Sequence, residues 1–245
     1  MRTLRKTGKA KPFAGRPCYH TELDTFSLAG REVGIVGRVV GASFAVLVAE
    51  ELFASACRLL VSLTSAGQIV PSGPPPYFVF IDRALRDEGT SYHYAPPSEF
   101  AEADPQLVMA AARAMFGKKL RAVVGASWTT DAPFRETEEA IEAARAKGIL
   151  AVEMEAAALH TFARTARVRL LFQDFGFALS PSSTRRRTAS DRVGLSSCFS
   201  AHLTIAARVA GSADSRLGSY AGRGSPRTTE VMKRRRRSIL ADGGA

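Results

Sequence analysis

The chain has 245 residues, is 46% hydrophobic, and carries 34 Lys+Arg against 23 Asp+Glu, a formal net charge of +11. That length is enough for a sizeable core in one large domain or two small ones. The composition excludes a collagen-like, disulfide-stapled or wholly disordered chain. No apolar run reaches the roughly 18 residues needed to cross a bilayer, so no membrane partner is expected. Three scattered cysteines, Cys18, Cys57 and Cys198, suit a reducing cytosol and show no metal-ligand spacing. The basic start has no apolar segment behind it and does not read as a secretory signal, so the expected location is cytoplasmic.

The charge is unevenly spread. Residues 1–165 hold 19 Lys+Arg and 18 Asp+Glu, whereas residues 166–245 hold 15 and 5. The basic pI therefore describes one third of the chain. Three parts follow: a basic N-terminal segment, 1–16, without a strand-like run; a nearly neutral domain, 17–165; and an Arg/Ser-rich basic tail, 166–245.

Within the domain, residues 19–36 read as a hairpin around the turn Ala29-Gly30. Residues 43–57 are apolar on several faces, with Glu50 and Glu51 as the polar exception, which predicts a mostly buried helix. Residues 58–63 predict a buried strand, followed by a small-residue turn at 64–67. A second strand, 77–81, follows the breaker Pro74-Pro75-Pro76. Asp104 before Pro105 predicts a capped helix start, with the helix running to about Phe116. Residues 120–125 predict a strand, 136–147 a helix closed by Gly148, 149–152 a strand and 154–164 a helix. Strands alternating with helices imply a sheet covered on both faces. Sites in such folds sit at the carboxyl ends of the strands.

Three strand ends carry candidate chemistry. Thr64 and Ser65 lie in the turn after the first strand, where small residues let amides and hydroxyls face an anion such as phosphate; alone the signal is weak, and a plain strand-to-loop turn is the more ordinary reading. The loop 128–137 brings Trp128, Phe134 and Arg135 together, which suits a planar, hydrogen-bonding base. Its other reading is a helix-capping loop, with Asp131 or Thr137 as the cap. Glu153-Met154-Glu155 stands where a strand meets a helix. Acids there complement the helix dipole, or a carboxylate binds a sugar diol while Met154 packs on the sugar face. His93, between Tyr92 and Tyr94, reads as a hydrogen-bonded structural residue.

In order, these segments resemble the nucleoside phosphorylase family that includes uridine phosphorylase and the hexameric purine nucleoside phosphorylases. The resemblance covers about residues 17–165. It rests on Val152 to Ala158, similar to the family's Glu-Met-Glu signature, and on the Thr-Thr-Asp-Ala-Pro-Phe-Arg loop. Two further segments add to it: Arg86 to Tyr94 with Ala95-Pro96, and Ala49-Glu50-Glu51-Leu52. The resemblance implies a three-layer α/β/α sandwich around a mixed, barrel-like sheet. It also implies cleavage of the N-glycosidic bond of a purine or pyrimidine nucleoside by phosphate, giving free base and ribose 1-phosphate. Inorganic phosphate would be the co-substrate, with no cofactor and no metal. By position, Thr64 and Ser65 would bind phosphate, Glu153, Met154 and Glu155 the ribose, and Trp128, Phe134 and Arg135 the base. The family is dimer-based and lends a histidine across the contact, for which His20 is a weak match.

Departures from the family pattern accompany the likeness. Ser62 stands where the family carries a phosphate-binding arginine, and Thr64 where it carries a glycine. The family's first strand and C-terminal elements have no counterpart in the sequence, and no base-protonating residue can be assigned, so the catalytic residue stays unknown. Those gaps leave two alternatives open: a hydrolytic relative, or an inactive nucleoside-binding remnant. The tail reads as disordered or as an out-of-frame stretch. Nucleic-acid binding through 233–237 is not favoured, because no aromatic platform accompanies the cations.

Overall fold

The computed structural model describes residues 2–13, 18, 21–74, 77–117, 121–176 and 203–207. They begin with a short helix α1 (Arg2–Lys6) and strands β1 (Ala10–Pro12), β2 (Leu23–Leu28) and β3 (Arg31–Gly37). Helix α2 (Ala42–Ala54) leads to β4 (Leu59–Gln68) and β5 (Tyr77–Asp87). A 3-10 turn (Ser91–His93) and β6 (Phe100–Glu102) precede α3 (Pro105–Met115) and β7 (Arg121–Thr130). Helix α4 (Glu138–Ala146), β8 (Ile149–Glu153), α5 (Ala156–Ala166), β9 (Leu170–Gly176) and β10 (Leu203–Ala207) complete the order.

The ten strands form one mixed sheet, in the order β1-β2-β3-β10-β4-β8-β7-β5-β6. Strand β9 pairs parallel to β4 and antiparallel to β5. Its two pairings close β4, β8, β7, β5 and β9 into a barrel-like ring, the mixed sheet that the resemblance implies. Two apolar clusters form. The larger joins α2 and α5 to the sheet through Val48, Leu52, Leu159, Phe162 and Phe172. The smaller lies under α4 and includes Trp128, Ala144, Ile149 and Val152.

Local chemistry places several boundaries where the sequence puts them. Asp104 caps α3 by accepting hydrogen bonds from the amides of Gln106 and Leu107, with Pro105 in the first turn. Thr137, the second of the two candidate caps, accepts from Ala140 N at 3.2 Å. Helix α5 buries every residue from Ala156 to Ala163. Its alanines let the helix lie close to α2 and the sheet, where larger side chains would hold it off.

Strands β4 and β7 are longer than the apolar runs announce. Strand β4 continues through the supposed turn at 64–67, because β9 supplies a full ladder from Leu60↔Leu170 to Ala66↔Gly176. Strand β7 runs to Thr130, paired with β5 as far as Asp87↔Thr130. Polar residues extend both strands because their hydroxyls find partners or burial inside the ring, a tertiary effect that the hydropathy pattern does not register.

The ends of the chain also differ from the three-part reading. Strand β1, three residues long, pairs antiparallel with β2. The Arg5 guanidinium grips the fully buried Asp24 carboxylate through two hydrogen bonds of 2.7 Å. The N-terminal segment is thus tied to the sheet. Strands β9 and β10 lie beyond residue 165, and β10 pairs antiparallel with both β3 and β4. The jump in charge at 165 therefore falls in α5, between strands of one sheet. Residues 177–202 and 208–245, which include the cation run 233–237, lie outside the described residues.

Candidate functional site

Strands β5, β7 and β8 run parallel, so their carboxyl ends and the loops that follow open on one side of the sheet. There a cleft of about 650 Å³ forms against the start of α2. Gly41, Ala42 and Ser43 form one wall. The segment after β5 contributes Thr90, His93 and Tyr94, the loop after β7 Asp131, and the turn after β8 Met154. Gly41 has a φ of +92°, a conformation that glycine reaches at little cost. That turn aims its amide at Glu155, whose Oε1 accepts at 2.7 Å. The residue behind Met154 is thereby fastened to the opposite wall of the cleft.

The two carboxylates beside Met154 are not equivalent. Glu155 is buried and held by the cleft's own backbone. Glu153 is turned into the interior and is saturated by the protein itself. Its Oε2 accepts from the amides of Glu155 at 2.6 Å and Ala156 at 2.7 Å. Its Oε1 accepts from Ser127 Oγ at 3.0 Å and from Thr129 Oγ1. Thr129 Oγ1 in turn accepts from Ala157 N at 2.9 Å. Between them, Glu153 and Thr129 satisfy the first free amides of α5, where no side chain of the helix's own cap does so. The ribose role read for Glu153 is therefore corrected: four internal donors occupy its oxygens. Met154 lines the cleft, and Glu155 lies buried behind the cleft wall at Gly41.

Burial shapes the acidity of this region. Desolvation and then the charge of Glu155 push Glu153 up to about 7. Asp174 on β9 is fully buried, and neither of its carboxylate oxygens has a hydrogen-bond partner among the described residues. Burial first, then the charges of Glu153 and Glu155, hold it well above the usual carboxylate range. At the cleft, Tyr94 donates to Glu50 Oε1 at 2.8 Å, and burial followed by that contact pushes the phenol up.

The other expected site residues are dispersed. Thr64 and Ser65 lie in register with Asp174 and Phe175 of β9. Thr64 is buried, and its Oγ1 faces Ser65 O at 3.4 Å. An extended ladder points successive amides to opposite sides, so these residues do not form the amide nest that a turn would give. Trp128 is also corrected. Because β7 continues to Thr130, Trp128 falls in a strand, and the two-residue period sends it with Ala126 into the cluster under α4. Its Nε1 donates to Asp87 Oδ2 at 2.9 Å. Phe134 is 73% exposed. Arg135, also exposed, donates its amide to Ala132 O at 2.8 Å in the same turn. Neither lines the cleft. His20 lies outside the described residues.

Several cleft residues were not singled out by sequence for this place. His93, read as structural, is exposed on the cleft wall. Asp131, read as a cap, accepts Gly89 N at 2.9 Å and faces the cleft. The signal for both was available, since each follows a strand end. The start of α2 follows no such strand, and its part in the site emerges only when α2 packs on α5.

Comparison with known proteins agrees with this geometry. A family model described as the Phosphorylase superfamily matches residues 2–172, and the chain belongs to that family. Two solved structures of uridine phosphorylase from Vibrio fischeri ES114 share the fold at 19% identity. One, complexed with 6-hydroxy-1-naphthoic acid, gives a TM-score of 0.64, with 81% of this chain and 80% of that one covered. The other gives a TM-score of 0.65, with 81% and 82% covered. No curated protein matches. By family and fold this is a nucleoside phosphorylase-like protein of the α/β class.

Proposed function

We propose that the cleft takes a purine or pyrimidine nucleoside and that the protein transfers its ribosyl group to inorganic phosphate, releasing the free base. Phosphate is the co-substrate, with no cofactor and no metal. The observation that carries this reading is the pair Met154 and Glu155 at the end of β8, with the Glu155 carboxylate drawn to the cleft wall by Gly41 N. A carboxylate held there accepts from the 2′- and 3′-hydroxyls and fixes the sugar in a reactive pose. The thioether of Met154 packs against the sugar face. As the bond to the base lengthens, positive charge grows at C1′; the phosphate anion both attacks and balances that charge.

One observation favours hydrolysis as a second reading. Among the described residues lining the cleft there is no lysine or arginine, while Glu50 and Asp131 do line it. Ser62, at the position of the family's arginine, is buried. Phosphate would have to be held by amides and hydroxyls at the start of α2, or by a second copy of the chain. A dimer-based homo-oligomer in the cytoplasm goes with the phosphorolytic reading.

The test is incubation with a panel of purine and pyrimidine nucleosides, with and without phosphate. Base release that requires phosphate and yields ribose 1-phosphate supports phosphorolysis. Phosphate-independent release of ribose selects the hydrolase. Folded protein that neither binds nor cleaves any nucleoside overturns both.

A further inference from the structure

Arg86 is the only arginine or lysine buried among the described residues, and it lies outside the cleft lining. It has no ion-pair partner among the described residues. Its charge is instead met by a loop wrapped around it. Nε donates to Ser91 Oγ at 2.8 Å. Nη1 donates to Pro96 O at 2.7 Å and Ser98 Oγ at 2.8 Å, and Nη2 to Ala95 O at 3.4 Å. The guanidinium carbon lies 4.3 Å from the centre of the Tyr92 ring, and the Tyr92 hydroxyl donates back to Arg86 O at 3.1 Å.

The near end of the same loop is held separately. Glu88 accepts from Thr90 N at 2.6 Å and Ser91 N at 3.0 Å, and Asp131 accepts from Gly89 N. The residues this loop delivers to the cleft are Gly89, Thr90, His93 and Tyr94.

We infer that Arg86 is a positioning residue for the cleft: it fixes the wall formed by residues 88–98 and so sets where Thr90 and His93 meet the substrate. A planar fork with five donors and a stacking face can satisfy two carbonyls, two hydroxyls and a ring together. A lysine, with three donors on a flexible stem, cannot. Without the guanidinium, the carbonyls of Ala95 and Pro96 lose their donor, and the loop has no reason to keep its path. The inference rests on the nucleoside reading only for what fills the cleft.

The test uses the full chain and Arg86→Ala. Amide hydrogen exchange is followed in residues 88–98 and, for reference, in residues 149–166. The His93 ring signal is identified by its loss in His93→Gln and followed by NMR. Exchange in 88–98 is expected to speed up about tenfold or more, with the reference region unchanged and the His93 signal shifted. Millimolar guanidinium is expected to restore both, while Arg86→Lys does not. If the wild type cleaves a nucleoside, KM is expected to rise about tenfold, with kcat kept within about twofold. Unchanged exchange in 88–98 overturns the inference, and so does an equal speed-up in 149–166 that guanidinium fails to reverse. A wild type that cleaves no nucleoside defeats the nucleoside reading alone, because exchange and the His93 signal still decide the role of Arg86.

Discussion

The turn after β8 and the loop after β7 leave the same side of the sheet, and both carry acids and hydroxyls that suit a ligand. Their fates differ. After β8, one carboxylate and one threonine hydroxyl close on three helix amides, and the remaining carboxylate, buried, accepts from Gly41 N of the cleft wall. After β7, Thr137 caps α4 and Asp131 holds Gly89, while Phe134 stands exposed. A polar residue becomes a site residue only after the unpaired amides around it have been satisfied by something else. At β8 Glu153 does that work, and Glu155 is held instead by Gly41 N of the cleft wall.

The sharpest way to break this contrast is to remove Glu155. Glu155→Ala is expected to lower nucleoside affinity about 10- to 100-fold, the loss of hydrogen bonds to a charged group. Calorimetry that finds affinity unchanged would remove the ribose role. Glu153→Gln is expected to act on stability instead, destabilising by about 3 kcal/mol, because an amide oxygen cannot accept from four donors. Urea unfolding measures it. A change in binding without a change in stability would reverse the two assignments. Trp128→Phe is expected to destabilise by about 1–2 kcal/mol through the lost Asp87 contact and the smaller ring. Affinity should stay at the wild-type value, whereas a base-facing tryptophan would lower it. Phe134→Ser, on the exposed loop, is expected to change stability by less than about 0.5 kcal/mol.

The interior adds a test in pH. Glu153 is held up at about 7 against an ordinary 4.5, so between these values the folded protein binds more protons than the unfolded chain. Its contribution is complete below 4.5 and is lost as pH rises through about 7. Asp174 acts in the same direction. His160, which burial pushes down to about 4 from 6.5, acts oppositely: its contribution is present above 6.5 and is lost as pH falls through about 4. Unfolding curves of His160→Leu are expected to lose less stability than the wild type between pH 6.5 and 4.5. Glu153→Gln should flatten the decline between 4.5 and 7. Parallel curves for wild type and variants would show that neither group titrates as its burial demands.

What the sequence by itself determined is local. Asp104-Pro105 started a helix, Thr137 capped another, and alternating strands and helices announced a sheet covered on both faces. The order of segments around Glu153-Met154-Glu155 pointed to the phosphorylase family. These features arise from side chains meeting their own backbone, or from periodicity in one segment, and both are written in consecutive residues. The tertiary structure decided how far β4 and β7 extend, because their polar ends are held by β9, β5 and Glu153. Strand length then decided direction: with period two, carrying β7 to Thr130 turned Trp128 into the core and Thr129 towards Glu153. Hydrogen bonding settled which of the two buried glutamates serves the helix amides. Those outcomes depend on donors supplied by residues far apart in the chain, such as Gly41 for Glu155 and Ser127 for Glu153, and no spacing within a motif records them.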